Sequence, residues 1–388
     1  MIQEYNKTRV YISACLGMMF FGVAFIVMGS VLPAMTSKYN LTELQSSSLV
    51  AFLPVGVLIG SILFGPIVDR FGYKNLLSLS TLSVGIGLLG LSYFDDFNVL
   101  RLFIFLIGLG GGILNGATNA LVAEIYSGEE GASKLSFLGM CYGIGALGVP
   151  LLLSFFSKRY SYETILQWTG LVIIISIIYF IITIFPEPKL KQGFPFKKAL
   201  KLAKEPALLL MSFILFFQSA LEGLLNNWST SYLINASLTE ENALLALTAL
   251  VAGITVARLV LAYLFKKVNS LQILYIGLTL LTIGLILFLY TDTFILAIIS
   301  LFLIGVGLAG VFPVIIGRIG TLYKSMTGTA IGLALFIALS GNSILNLMIG
   351  RVTNKFGISS FPIFLLVCVA IQATIIICSK KYLVDKNN

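Results

Sequence analysis

Histidine is absent from the chain, and with it goes the side chain most used for proton transfer and metal ligation near neutral pH. Charge is scarce too. Only 11% of the 388 residues are charged, against roughly 25% in a soluble domain. Cysteine is confined to Cys15, Cys141, Cys368 and Cys378, all in apolar segments and none at metal-ligand spacing. They read as small buried hydrophobes rather than a disulfide framework. No cleavable signal is expected, because the first apolar run has full spanning length and no small-residue cleavage site is evident. Without a nucleophile–base set, a metal cluster or a soluble domain, an enzyme or sensor is the least supported class. No cofactor or metal is expected.

What the chain has in abundance is apolar length. It is 58% hydrophobic, which marks a polytopic membrane protein whose partner is the lipid bilayer. Apolar windows predict helices near 10–35, 44–68, 75–94, 100–126, 132–157, 164–185, 206–235, 242–265, 270–290, 294–322, 328–350 and 359–379. The fold expected is an all-α membrane protein with twelve transmembrane helices in two pseudo-symmetric six-helix bundles. Residues 1–185 form the first bundle, 186–205 a cytoplasmic linker with six lysines, and 206–388 the second bundle. Within the linker, Phe196–Lys204 has the pattern of an amphipathic surface helix.

Charge placement sets orientation. With both termini inside, the cytoplasmic segments hold seventeen lysines and arginines and the outer segments six, leaving Arg258 and Arg318 within helices. This is the positive-inside bias, and it places the N- and C-termini in the cytoplasm of a plasma (inner) membrane. The formal charge of +9 is accounted for without nucleic acid. Arg258 and Arg318 lie toward the cytoplasmic helix ends, where long side chains snorkel to the interface.

An internal repeat supports the two bundles. At a constant offset of 197, Leu41-Thr42-Glu43 meets Leu238-Thr239-Glu240, and Phe105-Leu-Ile-Gly108-x-Gly110 meets Phe302-Leu-Ile-Gly305-x-Gly307. Parallel repeats of this kind are one plan for transporters, with the site at midplane between halves.

The seventh segment carries the polar face that matters most. Gln218, Glu222 and Asn226 are four apart, so they share one side of a helix, with Asn227, Trp228 and Tyr232 following. A carboxylate at mid-depth costs roughly 2.5–3.5 kcal/mol on insertion scales, so Glu222 must face protein or a wet cavity. It is either a working group or a hydrogen-bond partner of a neighbouring helix. Asn115 and Asn119 share a face of the fourth segment, as Asn342 and Asn346 do in the eleventh. Each pair either cross-links helices or binds a polar solute. Trp228 either stacks on a sugar ring or anchors the interface. Pro313 predicts a break in the tenth helix at Phe312-Pro313.

Between the second and third segments runs Gly65-Pro-Ile-Val-Asp69-Arg70-Phe-Gly72-Tyr-Lys74. This turn resembles the signature loop of the major facilitator superfamily, and Ala262-Tyr-Leu-Phe-Lys266-Lys267 is similar to its degenerate repeat. The resemblance implies that Asp69, with Arg70 and the motif positions Gly65, Gly72 and Lys74, latches one conformation by engaging a helix N-terminus. The run around Asn115 and Asn119, the stretch Tyr142-Gly143 to Pro150, and Glu222 to Tyr232 resemble the fucose/glucose–cation symporter branch. Fucose-type members have an Asp in the first helix and a Glu at the position of Asn115. This chain has neither, which makes the glucose-type members the better guide. The resemblance adds Tyr142 to the solute-binding candidates Asn115, Asn119, Gln218, Asn226, Asn227, Trp228, Asn342 and Asn346.

The function expected is a secondary transporter of a small polar solute, a sugar above all, working by alternating access coupled to H⁺ or Na⁺ through Glu222. A monomer suffices mechanically. The competing expectation is a proton-coupled efflux antiporter for lipophilic compounds. Against it, the fifth helix lacks the full Gly-Pro-x-x-Gly-Gly pattern, although Gly148-Val-Pro150 echoes part of it.

Overall fold

The computed structural model describes residues 5–41, 43–156, 159–188, 201–265 and 267–383, and among these there is no strand. Among the described residues, twelve helices are long and apolar enough to cross a membrane. In order they are α1 Lys7–Tyr39, α2 Glu43–Phe71, α3 Tyr73–Tyr93, α4 Phe97–Ile125, α5 Gly128–Phe156 and α6 Tyr162–Ile182, then α7 Pro206–Asn235, α8 Glu240–Leu264, α9 Ser270–Leu289, α10 Phe294–Leu322, α11 Thr327–Phe356 and α12 Phe361–Cys378. A single turn, α13 Lys380–Leu383, follows. The twelve-helix expectation is met. The surface helix expected over Phe196–Lys204 falls largely outside the described residues.

Sequence explains both the helices and their surroundings. A spanning helix satisfies all its interior backbone groups within itself, which hydrocarbon demands. Its outward side chains can then be as apolar as its core, and Ile175, Ile182, Ile295 and Ile377 are accordingly exposed. Polar side chains at the ends stop the helices: Asn6 caps α1 by accepting from the Arg9 amide at 3.1 Å, and Asn269 caps α9 from the Gln272 amide at 2.9 Å.

The chain forms two compact units. The first comprises Met1–Ile125, Leu138–Ala199 and Tyr323–Leu333, and the second Tyr126–Phe137, Leu200–Leu322 and Ala334–Asn388. The first turns of α5 thus belong to the second unit, and the first turns of α11 to the first. The two exchanged segments begin at Tyr126 and Tyr323, positions related by the repeat offset.

Inside the first unit α4 packs on α1, α2 and α3, and α3 also on α6. Inside the second, α10 packs on α7, α8 and α9, and α9 also on α12. The same contacts recur with every helix advanced by six. Close approaches keep the register: a Cβ on Gly56 would strike the Phe105 carbonyl, and one on Gly253 the carbonyl of Phe302. Both second-unit residues stand 197 positions after their first-unit mates. The repeat is therefore a repeat of packing, not of composition alone.

Two helices are interrupted, α6 at Ser176 and α10 at Ala309–Gly310. The α10 break lies ahead of the expected Phe312-Pro313 position. Pro313 is its physical source, because the ring has no N–H and excludes the carbonyl four residues earlier, at Ala309. The interruption therefore falls on the carbonyl side of the proline.

Candidate transport site

The α7 face is built as its spacing predicts, with partners that the spacing does not reveal. Gln218 is only 1% exposed. Its Nε2 donates to the Leu308 carbonyl at 2.9 Å and to Glu222 Oε1 at 3.2 Å. Leu308 ends the first part of α10, so its carbonyl is one of the groups a broken helix leaves unpaired, and the Gln218 amide satisfies it. Gln372 of α12, fully buried, donates through Nε2 to Gln218 Oε1 and to the Ile214 carbonyl, each at 3.3 Å. A relay of amide donors thus runs from Gln372 through Gln218 and ends on the Glu222 carboxylate.

The same carboxylate oxygen, Oε1, also meets a cation. Arg258 Nη2 of α8 lies 3.7 Å from Glu222 Oε1, with the two side chains 12% and 31% exposed. Arg258 is turned inward to Glu222, which corrects the expectation that it snorkels to the interface. The reason is local: a half-buried carboxylate offers an arginine on the adjacent helix a better partner than headgroup water. Asn226 does not reach the carboxylate; its Nδ2 donates to the Glu222 backbone carbonyl at 2.8 Å.

One turn further along α7 the amides form a second cluster with α11. Asn346 Oδ1 accepts from Asn227 Nδ2 at 3.0 Å and from the Trp228 indole at 3.2 Å. Asn346 Nδ2 donates to Asn342 Oδ1 at 2.7 Å and to its carbonyl at 2.9 Å. Asn346 is the hub. Asn226 and Asn227 are exposed, while Trp228, Asn342 and Asn346 are half-buried, so the cluster borders open space.

In the first unit, Asn119 Nδ2 donates to the Asn115 carbonyl at 2.8 Å and to Asn115 Oδ1 at 3.1 Å. Both asparagines are buried. Tyr142 of α5 stacks with Phe21 and Phe25 of α1, at ring separations of 5.3 and 6.4 Å. Phe21 and Phe25 are the repeat mates of Gln218 and Glu222. Equivalent positions thus carry an aromatic cluster in one unit and the ionisable cluster in the other.

The α2–α3 turn shows why its residues recur in that pattern. Asp69, 2% exposed, accepts from the Gly328 amide at 3.2 Å, the Thr329 amide at 2.9 Å and the Thr329 hydroxyl at 2.6 Å. Those amides belong to the first turn of α11, where backbone donors have no helical partner and the helix dipole favours an anion. Gly65 permits the approach, since a Cβ there would lie 2.6 Å from the Gly328 carbonyl. Gly72 turns the chain at φ 76°, a left-handed conformation open to glycine. Arg70 is exposed with its guanidinium 5.0 Å above the Phe71 ring, and Lys74 is exposed. Lys266, the repeat mate of Asp69, lies outside the described residues.

A cavity of about 260 Å³ opens elsewhere in the second unit, lined by Glu129, Ser270, Arg318 and Leu383 among others. It contains none of the expected site residues. Arg318 donates from Nε to the Tyr382 carbonyl at 2.6 Å and so holds α13 to the end of α10.

Comparison with known proteins turns on one match. Residues 14–345 fit the model of the Major Facilitator Superfamily. The chain belongs to that superfamily. Among its relatives, the glucose/mannose transporter GlcP of Bacillus subtilis (strain 168) is 24% identical over 358 residues, 86% of this chain and 85% of the relative. The TsgA homolog of Buchnera aphidicola subsp. Schizaphis graminum is 22% identical over 376 residues, 94% of each. Among solved structures, the superfamily transporter FucP in the outward conformation shares the fold with a TM-score of 0.81, at 16% identity over 96% of this chain and 98% of the other. The proton:xylose symporter XylE bound to 6-bromo-6-deoxy-D-glucose gives 0.80, at 14% identity over 97% and 96%. This major facilitator chain is an integral membrane transporter.

Two of its site residues were not among the expected ones. Arg258 was assigned to the interface by its position near a helix end. Gln372 has no local signal beyond being the one amide of α12, and only its contact with Gln218 marks it.

Proposed function

We propose that this transporter moves a small, neutral, hydroxyl-rich solute of the sugar class by alternating access, driven by H⁺ or Na⁺ through Glu222. The observation that carries the proposal is the chemistry of the α7–α11 face. Asn226, Asn227, Trp228, Asn342 and Asn346 offer amide donors, amide acceptors and an indole, with no fixed charge among them. Such groups exchange hydrogen bonds with hydroxyls, and an aromatic face covers an apolar ring edge. Glu222 is balanced by Arg258, so the nearest ionisable cluster is a neutral pair and selects neither anion nor cation. Relatives named for glucose, mannose and xylose transport point to the same solute class.

The remaining assignments belong to the same proposal. Asn115, Asn119 and Tyr142 are the first unit's solute-binding residues, and in the second unit Gln218 binds solute beside the coupling group. Asp69 and the loop around it latch one conformation, while bundles 1–185 and 206–388 move as alternating-access halves. Both termini face the cytoplasm of the plasma (inner) membrane, and the monomer is the working unit.

The test is uptake of labelled D-glucose, D-xylose and L-fucose into proteoliposomes under an imposed H⁺ or Na⁺ gradient. Saturable, gradient-stimulated uptake of a sugar is expected. Transport of lipophilic cations with no response to any sugar would contradict it.

A further inference from the structure

Arg258 links the polar centre of α7 to the start of α5. Its guanidinium is paired with Glu222, and its backbone carbonyl accepts the Ser136 hydroxyl at 2.6 Å. One turn along α8, the Ala262 carbonyl accepts the hydroxyl of Ser133. Ser133 and Ser136 lie in Tyr126–Phe137, the part of α5 that joins the second unit. Both are neutral bonds to backbone carbonyls, that of Arg258 within α8 and that of Ala262 in its last turn. They are weaker than the charge-assisted set Asp69 makes on α11 at the related crossing. The α5–α8 contact is therefore the one a small shift of α8 undoes first.

We propose that Arg258 is a positioning residue that transmits the charge of Glu222 to this α5–α8 contact. The inference rests on Glu222 being the coupling group, and it takes the ion as a proton. Arg258 is the charged group facing Glu222 among the described residues; from α10 and α12 the neighbours are the Leu308 carbonyl and, through Gln218, the amide of Gln372. A sodium ion would bring a second cation beside the guanidinium that already stands 3.7 Å from Glu222 Oε1, and the two would repel. A proton has no such difficulty. When it binds a Glu222 oxygen, the carboxylate becomes a neutral acid and its attraction for the guanidinium is lost. Arg258 stays charged and swings toward the helix end, the snorkelled position its place in α8 also favours. α8 follows, and the Arg258 and Ala262 carbonyls draw away from Ser136 and Ser133. The paired and snorkelled placements of one arginine are the two settings of the device.

Hydrogen–deuterium exchange of the Tyr126–Phe137 amides tests this in the full-length protein at a single pH near 8. A fixed pH keeps Glu129, Glu130 and Lys134 of the same segment in one state. Glu222→Gln and Arg258→Gln should each speed exchange about two- to tenfold, the range for losing one or two neutral hydrogen bonds. The double variant should match either single one, because both act through one link, and Arg258→Lys should remain close to the native protein. Native-like exchange in Arg258→Gln beside fast exchange in Glu222→Gln would overturn the transmitting role. If Arg258→Gln fails to fold, Ser133→Ala combined with Ser136→Ala replaces it: the pair should be fast by itself and gain nothing from Glu222→Gln, and a full added increase would refute the link. Uphill D-glucose uptake by Glu222→Gln is scored separately. Its retention would defeat the coupling role of Glu222, whatever exchange shows.

Discussion

Arg258 stands 3.7 Å from Glu222, and this pairing sets the electrostatics of the second unit's polar centre. Removing one partner of a partly buried pair leaves the other uncompensated, which costs more than removing both. With Glu222 about a third exposed, Arg258→Gln should lower stability by about 1–3 kcal/mol, less than for a fully buried pair. The double variant Arg258→Gln with Glu222→Gln should recover part of that loss. Thermal unfolding of the three proteins in one detergent checks the order. A double variant less stable than Arg258→Gln would show that the two side chains do not form an energetic pair.

Asp69→Asn keeps an acceptor but gives up the charge that strengthens three hydrogen bonds to the start of α11. If Asp69 latches one conformation and does not touch solute, initial uptake should fall while equilibrium solute affinity stays within about twofold, below 0.5 kcal/mol. Parallel binding and uptake measurements separate these effects. A tenfold loss of affinity would place Asp69 in the solute site instead.

Asn119→Ala and Asn342→Ala should each weaken solute binding by about 1–2 kcal/mol, one hydrogen bond to a buried site. Asn119 is held by Asn115 in the first unit, and Asn342 by Asn346 in the second. Unchanged affinity with reduced expression would assign them to helix packing.

At the far end of α1, Lys38 Nζ lies 2.9 Å from Asp95 and 3.1 Å from Glu163, and the Tyr39 hydroxyl donates to Asp95 at 2.7 Å. The Tyr39 hydroxyl and the Lys38 ammonium hold the Asp95 carboxyl below its ordinary range, and the same contacts raise the lysine. A lowered carboxyl stabilises the fold above its unfolded pKa, about 3.9, and ceases to as pH falls through the folded value. A raised lysine contributes below about pH 10 and stops as pH rises through its own folded value. The cluster should therefore support stability evenly from about pH 5 to 9 and fade at either extreme. Both Lys38 and Asp95 are exposed, so salt should shrink the effect. Melting of Asp95→Asn beside the native protein, at low and high salt, should show a small deficit that salt removes. A deficit insensitive to salt would mean the cluster acts by packing.

The fold was readable because hydrocarbon leaves the backbone so few solutions. Twelve apolar runs, a lysine-rich linker and a fixed repeat offset led to twelve helices with matched packing at Gly56 and Gly253. The engagement of a helix start by Asp69 was implied by the resemblance of its loop to the superfamily signature, while the third donor, the Thr329 hydroxyl, carried no signal there. Pairing between helices was not readable. Arg258 carries the same local signature whether it snorkels or turns to Glu222, and only the placement of α8 against α7 decides. Gln372 is one amide in an apolar helix until Gln218 is found beside it. The exchange of Tyr126–Phe137 and Tyr323–Leu333 between units left no compositional trace, as both segments read as ordinary helix starts.

Coupling through Glu222 is tested most directly by Glu222→Gln in proteoliposomes, with uphill and exchange transport of the same labelled sugar measured side by side. The glutamine mimics the neutral acid and can still accept from Gln218, but it cannot take up or release a proton. Gradient-driven accumulation should vanish, and exchange of labelled for unlabelled sugar at equal concentrations should persist. Full accumulation against a gradient by Glu222→Gln would contradict the coupling role outright.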